Sequence, residues 1–175
     1  EAVFKPKTNY TKGVIFIGDS ITAGQGSSAY DAAKGGLWMN EPRQAMPLIN
    51  DANVACFNFG TPTMPASSMN TNKATIFPKL LAGYPGITKW VARVHVGIND
   101  IRAGVSASSV NSNIAALCTY LRGLGIKVIV TTINRQGSAA NDPSYVAHDA
   151  VITSANNSIR TNWATYADDL CDFDN

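Results

Sequence analysis

Gly13-Val-Ile-Phe-Ile-Gly18-Asp19-Ser20-Ile21-Thr22 is the stretch whose reading decides the fold. A continuous apolar run bounded by glycines, followed at once by small polar residues, reads as a buried strand that turns into a helix. The same kind of run recurs at Val54-Ala-Cys-Phe-Asn-Phe59, Val91-Ala-Arg-Val-His-Val96, Ile126-Lys-Val-Ile-Val-Thr131 and Asp169-Leu-Cys-Asp-Phe173. Between the third and fourth runs, Val110, Ile114, Leu117, Cys118 and Leu121 share one face of a helix that starts among the serines near 106–109 and stops at Gly123. Between the fourth and fifth, Asp142-Pro143 supplies a cap and a first-turn proline for a helix whose apolar face is Ile152, Ala155, Ile159 and Trp163. Strands alternating with helices predict a parallel sheet: a three-layer α/β/α sandwich around five parallel strands, of flavodoxin-like type.

Residues 24–50 and 61–74 are less periodic and rich in Gly, Ser, Pro and Asn. Ligands of open α/β sheets bind outside the carboxyl ends of the strands, so these segments are expected to form loops that wall the site. At 175 residues and 45% hydrophobic content the chain can bury one substantial core, and no composition shift divides it, so residues 1–175 are read as a single domain. The net charge of +2 is spread without a basic run that would follow a phosphate backbone, which argues against nucleic acid as a partner. The longest apolar stretches are strand-sized, too short to span a bilayer. Cys56, Cys118 and Cys171 lack metal-type spacing and are expected as buried free thiols. Few charges among many Ser, Thr, Asn and Ala suit an extracellular or virion-surface protein.

Three short segments each follow the carboxyl end of a strand: Gly18-Asp19-Ser20-Ile21-Thr22, Asn58-Phe59-Gly60 and Gly97-Ile98-Asn99-Asp100. If the strands are parallel neighbours, these segments converge. A serine opening a helix presents its backbone N–H at the positive end of the helix dipole, where developing negative charge is favoured. Gly60 can offer an unobstructed N–H, and the Asn99 amide is a neutral donor of two protons. Three such donors are what an oxyanion hole requires. The competing reading is a phosphate-binding or merely capping serine in a nucleotide- or flavin-binding loop, which leaves Gly60 and Asn99 unexplained.

On these residues the sequence resembles the SGNH hydrolases, also called the GDSL esterase and lipase family. The likeness rests on Gly-Asp-Ser with its preceding strand, the glycine at 60, and Gly-x-Asn-Asp at 97–100. It implies an ester hydrolase with Ser20 as nucleophile, an oxyanion hole of Ser20 N–H, Gly60 N–H and Asn99, and no metal or organic cofactor. The family's further Asp-x-x-His block, which brings the general base, has no counterpart in the 175 residues. The expectation is that this block and a closing helix lie outside the sequence, or that a second polypeptide supplies the histidine. Asp172-Phe-Asp-Asn175 reads alternatively as the same block with Asn in place of His, and Asn cannot take a proton from Ser20. His148 is the other candidate base, and with Trp38 it is a candidate substrate contact; Tyr30 and Tyr145 are further aromatic candidates. His95 is expected as a packed core residue, Asp19 and Asp100 as turn and scaffold residues, and Arg102 and Arg135 as solvated loop residues. The expected substrate is a small-molecule or polysaccharide ester, with a short acyl group on a polysaccharide preferred.

Overall fold

The structure, a computed structural model, describes residues 10–23, 53–135 and 145–174. Five strands, β1 (Lys12–Gly18), β2 (Val54–Gly60), β3 (Lys89–His95), β4 (Lys127–Thr131) and β5 (Asp169–Cys171), form one sheet in the order β2-β1-β3-β4-β5. Every pairing is parallel. The helices are α1 (Ser20–Ala23), α2 (Ala66–Gly83), α3 (Ile98–Arg102), α4 (Ala107–Gly123) and α5 (Tyr145–Tyr166). The α/β class and the five-stranded parallel sheet are as the sequence implies. The third strand starts two residues earlier than the apolar run, at Lys89, and the fifth ends two residues sooner, at Cys171.

Strand order explains where the helices lie. The connections β2 to β3, β3 to β4 and β4 to β5 all move the same way across the sheet. Right-handed crossovers therefore put their helices on one face. On that face Ile15, Ile17, Ala92, Val94, Val128 and Val130 are at most 1% exposed, and they pack with Phe77 of α2, Leu117 of α4 and Ile159 of α5 in one core. The connection from β1 to β2 runs the opposite way and starts on the second face. There α1 presses on the sheet so closely that a Cβ at Gly60 would lie 2.5 Å from the Ala23 nitrogen, and one at Gly18 would lie 1.9 Å from the Thr22 hydroxyl. These two glycines are thus demanded by close approach of backbone, independently of any chemistry.

Two expectations need correction. Residues 61–74 are not mainly loop: α2 begins at Ala66. Its first half is polar, so the helical period is weak there, and Thr71 and Asn72 return their side chains to the carbonyls of Ser67 and Ser68, each at 2.9 Å. Pro78 inside the helix further masks it. Of the three free cysteines, only Cys118 is buried, and burial pushes its thiol up to about 12; Cys56 and Cys171 are half-buried on the second face. Segment 24–50, with Tyr30 and Trp38, and the Asp142-Pro143 cap lie outside the described residues, as does the Tyr145 side chain.

Candidate active site

The carboxyl ends of β2, β1 and β3 lie side by side. Gly18 at the end of β1 is paired on one side with Gly60 and on the other with His95. Neighbouring strands are about 4.8 Å apart, so Ser20, Gly60 and the turn carrying Asn99 are gathered on one short edge. The structure thus brings together the three residues that the sequence singled out.

Ser20 owes its position to Asp19, which is 1% exposed. The Asp19 carboxylate accepts the Ile21 N–H at 2.9 Å and its carbonyl accepts the Ala23 N–H at 3.0 Å. That local turn stops the strand and starts α1. Ser20 is half-buried, and neither its N–H nor its hydroxyl is bonded to a described residue. Both groups therefore remain available to an incoming molecule.

Asn99 and Asp100 tie the third segment to the second. Gly97, with φ of 127°, opens α3 in a conformation that favours glycine, and a Cβ there would press to 2.8 Å on Ile133. The Asn99 amide donates to the Met64 carbonyl at 3.2 Å, which uses one of its two protons and leaves the other. Asp100, 1% exposed, accepts the Ala66 N–H at 2.7 Å and the Ser67 N–H at 3.5 Å. Its carboxylate thereby caps α2 across the sheet edge, at the end of the helix that favours negative charge. The turn between, Thr61–Met64, holds Thr63 at a φ of 63°, a left-handed conformation that costs about 1 kcal/mol in a non-glycine residue. Asp19 and Asp100 are scaffold residues, as expected from the sequence.

Gly60 departs from the simple picture. Its N–H is already bonded, to Asn58 Oδ1 at 2.8 Å. For that donor to serve an oxyanion, the Asn58 side chain has to yield or share it. Nothing in the strand pattern of Val54–Phe59 signals that the Asn58 side chain folds onto the strand end two residues on.

His95 is 3% exposed on the second face, and its Nδ1 lies 2.9 Å from an Arg93 guanidinium nitrogen. A guanidinium only donates, so Nδ1 accepts and the proton of the neutral ring sits on Nε2. Such a ring has no free lone pair with which to activate a serine. The Phe173 ring, 47% exposed, lies under the Arg93 guanidinium at 5.0 Å and tilted against the His95 ring at 5.5 Å. His148 is half-buried in the first turn of α5. That turn follows β4, which is separated from β1 by β3.

The tail beyond β5 is held by an ionic network that the sequence did not reveal. Arg160 binds Asp172 at 2.8 Å and Asp174 at 3.2 Å, and Arg135 binds Asp174 at 2.6 Å and also Asp149. The Arg160 hydrogen bond pulls the Asp172 carboxyl down to about 2. Burial works to raise Asp174, but hydrogen bonds from Asn156, Arg135 and Arg160 outweigh it and hold that carboxyl below its ordinary value. Asp172 is thus neutralised by an arginine rather than facing an imidazole, and Asn175 lies outside the described residues. Arg135 is exposed as expected, yet it is committed to two carboxylates; Arg102 is exposed at the end of α3. Among the described residues no group of His, Cys, Asp or Glu could hold a metal ion, and no helix is long and apolar enough to cross a membrane.

Comparison with known proteins identifies the family to which a chain with this strand-end arrangement of serine, glycine and asparagine belongs. The model of the GDSL-like lipase/acylhydrolase family matches residues 16–175, and the chain belongs to that family. No curated protein sequence matches it. Among solved structures it is similar to AlinE4, an SGNH-hydrolase family esterase, with 16% identity and a TM-score of 0.62 over 91% of this chain and 75% of that one. A lipolytic protein of the G-D-S-L family from Veillonella parvula gives 19% identity and 0.63 over 93% and 78%. The psychrotrophic esterase EstA from Pseudoalteromonas, in a structure inhibited by monoethylphosphonate, gives 16% and 0.59 over 92% and 76%. At these identities the likeness to solved structures speaks for the fold.

Proposed function

We propose that this chain is a serine esterase that removes a short acyl group, acetyl foremost, from a carbohydrate hydroxyl through an acyl-serine intermediate. The observation that carries the reading is the convergence of Ser20, Gly60 and Asn99 on three adjacent strand ends, with the Ser20 hydroxyl unengaged. Ser20 Oγ attacks the ester carbonyl and gives its proton to a base. The carbonyl oxygen, now negative, is met by the Ser20 N–H, the second Asn99 amide proton and the Gly60 N–H as Asn58 shares it. Collapse breaks the bond from the carbonyl carbon to the sugar oxygen, which takes the proton from the base and leaves as the free hydroxyl. Water, activated in the same way, releases the acid and restores Ser20.

Of the two histidines, His95 is engaged by Arg93, so the base is His148 or a histidine from outside the 175 residues, on further chain or a second polypeptide. The preference for a glycan ester rests on the polar composition of 24–50, which carries Tyr30 and Trp38. Such a substrate goes with an extracellular or virion-surface location. The test is initial rates on p-nitrophenyl acetate, butyrate and octanoate and on acetylated xylan, for the wild type and Ser20→Ala. The reading expects a preference for the acetyl esters and loss of turnover in the variant. Equal rates in the two proteins overturn it.

A second reading is favoured by the bond from Gly60 to Asn58 and by the absence of an imidazole partner for Ser20 among the described residues. In it the domain binds an acylated glycan without cleaving it. Calorimetric binding of acetylated xylo-oligosaccharides, equal in wild type and Ser20→Ala with no acetate released, is its signature.

A further inference from the structure

Asn156 lies on the face of α5 that carries Ile152 and Ile159, and all three are at most 3% exposed. An amide in such a place is costly unless its polar atoms are engaged, and a leucine of similar shape would pack there without that cost. Here both ends are engaged. Asn156 Oδ1 accepts the Ile133 N–H at 2.8 Å, Nδ2 donates to the Ile133 carbonyl at 2.9 Å, and the amide also donates to the Asp174 carboxylate. Two bonds to the backbone of one residue fix its orientation as well as its distance. Ile133, two residues beyond β4 and 2% exposed, turns its side chain to Gly97. A Cβ on Gly97 would lie 2.8 Å from Ile133 Cδ1 and 2.9 Å from Val110 Cγ1, so those methyl groups rest on the bare Cα. Gly97 opens α3, a single turn of five residues that moves with it, and Asn99 is the second of them. Among the described residues the Asn99 amide has one partner, the Met64 carbonyl at 3.2 Å. That one long bond leaves the aim of its other proton to the backbone that carries it.

We infer that Asn156 is a positioning residue for the oxyanion hole: by clamping Ile133 it sets the seat of Gly97, and through Gly97 the aim of the Asn99 amide. The inference rests on the role of Asn99 in the proposed esterase reaction. A reacting group misplaced by about 1 Å costs about 10²-fold in rate. Releasing Ile133 lets its tip retreat from Gly97 by a fraction of that, so the expected loss is about tenfold in kcat. KM should hold, because the second Asn99 proton meets charge that exists only in the transition state.

The test compares p-nitrophenyl acetate kinetics of the wild type, Asn156→Ala, Asn99→Ala and the double variant. Asn156→Ala should lower kcat about tenfold where Asn99 is present and less than about twofold where it is already Ala. Loss of folded protein, which is all that a merely structural residue would cause, lowers the rate by the same factor in both backgrounds. That outcome overturns the inference, as does a change confined to KM. Ile133→Val is the milder variant for the case in which Asn156→Ala does not fold. It removes only Cδ1, the atom nearest Gly97, keeps both backbone bonds, and should lower kcat about threefold, again only with Asn99 present. A second readout is independent of turnover. In nitrogen–proton correlation spectra the Asn99 side-chain amide pair, assigned by its disappearance in Asn99→Ala, should shift in Asn156→Ala and in Ile133→Val. It should stay in place in Asn157→Ala, a change at an exposed neighbour on α5. An Asn99 pair unmoved by both core variants overturns the inference whatever the kinetics. Wild-type turnover that survives Ser20→Ala sinks the esterase reading instead, and the spectra then decide whether Asn156 sets the Asn99 amide.

Discussion

Asp100→Ala tests how the candidate site is held together. The carboxylate is 1% exposed and accepts the Ala66 N–H at 2.7 Å, with the longer Ser67 contact at 3.5 Å contributing little. A hydrogen bond to a charged group is worth about 1.5–3 kcal/mol, and truncation leaves the Ala66 N–H without its acceptor. The capping charge at the start of α2, a helix of 18 residues, is lost in the same step. The expected loss is therefore about 2–3 kcal/mol, or roughly 5–10 °C in melting temperature for a chain of this length. Urea unfolding followed by circular dichroism measures it, with the slope m unchanged if only the native state is affected. Asp100→Asn keeps an acceptor oxygen and should recover part of the loss. A destabilisation by Asp100→Ala below about 0.5 kcal/mol, the range of ordinary surface substitutions, refutes the view that this carboxylate anchors α2 to the site.

Asn99→Ala should lower kcat by about 10²-fold or more with little change in KM, because its second amide proton is proposed to meet charge that exists only in the transition state; an effect confined to KM assigns it to ground-state binding. Asn58→Ala should leave kcat unchanged or raise it up to about tenfold by releasing the Gly60 N–H, a competition worth about 0.5–1.5 kcal/mol; a fall as large as that of Asn99→Ala contradicts this. Gly60→Ala is uninformative, since its Cβ would displace α1 whatever the chemistry. Asp172 and Asp174 have lowered folded values, so as pH falls the unfolded chain takes up protons first, near the ordinary carboxyl value of about 4. Their contribution is complete above that value and lost on the way down to about 2, where Asp172 itself titrates. Urea midpoints between pH 6 and pH 2 should therefore fall more steeply for the wild type than for Arg160→Met, and parallel curves would show that the network adds nothing.

The strands were legible because a strand inside a parallel sheet reads as an apolar run, and Gly13–Gly18 and Ile126–Thr131 supply one. The placement of Ser20, Gly60 and Asn99 followed from that order alone, since each sits where a strand ends. What escaped the sequence depends on contacts distant along the chain. The start of α2 is capped by Asp100, 34 residues away, rather than by a local Ser or Asp. Asn156 clamps the loop after β4 by exchanging two hydrogen bonds with the Ile133 backbone, at 2.8 and 2.9 Å, and no spacing rule links residues 23 apart. The pairing of Arg93 with His95 was unreadable for another reason. Two residues apart on a strand share a face, but whether they bond or face a ligand depends on what covers them.

The central claim is that Ser20 is the nucleophile of an acyl-transfer site, and covalent capture tests it most directly. A fluorophosphonate reacts at an activated serine and leaves a stable adduct that peptide mass spectrometry can place. The account predicts an adduct on the peptide carrying Gly18-Asp19-Ser20, assigned to Ser20 and absent from Ser20→Ala. Capture at a different serine, with Ser20→Ala labelled as fast as the wild type, would contradict it.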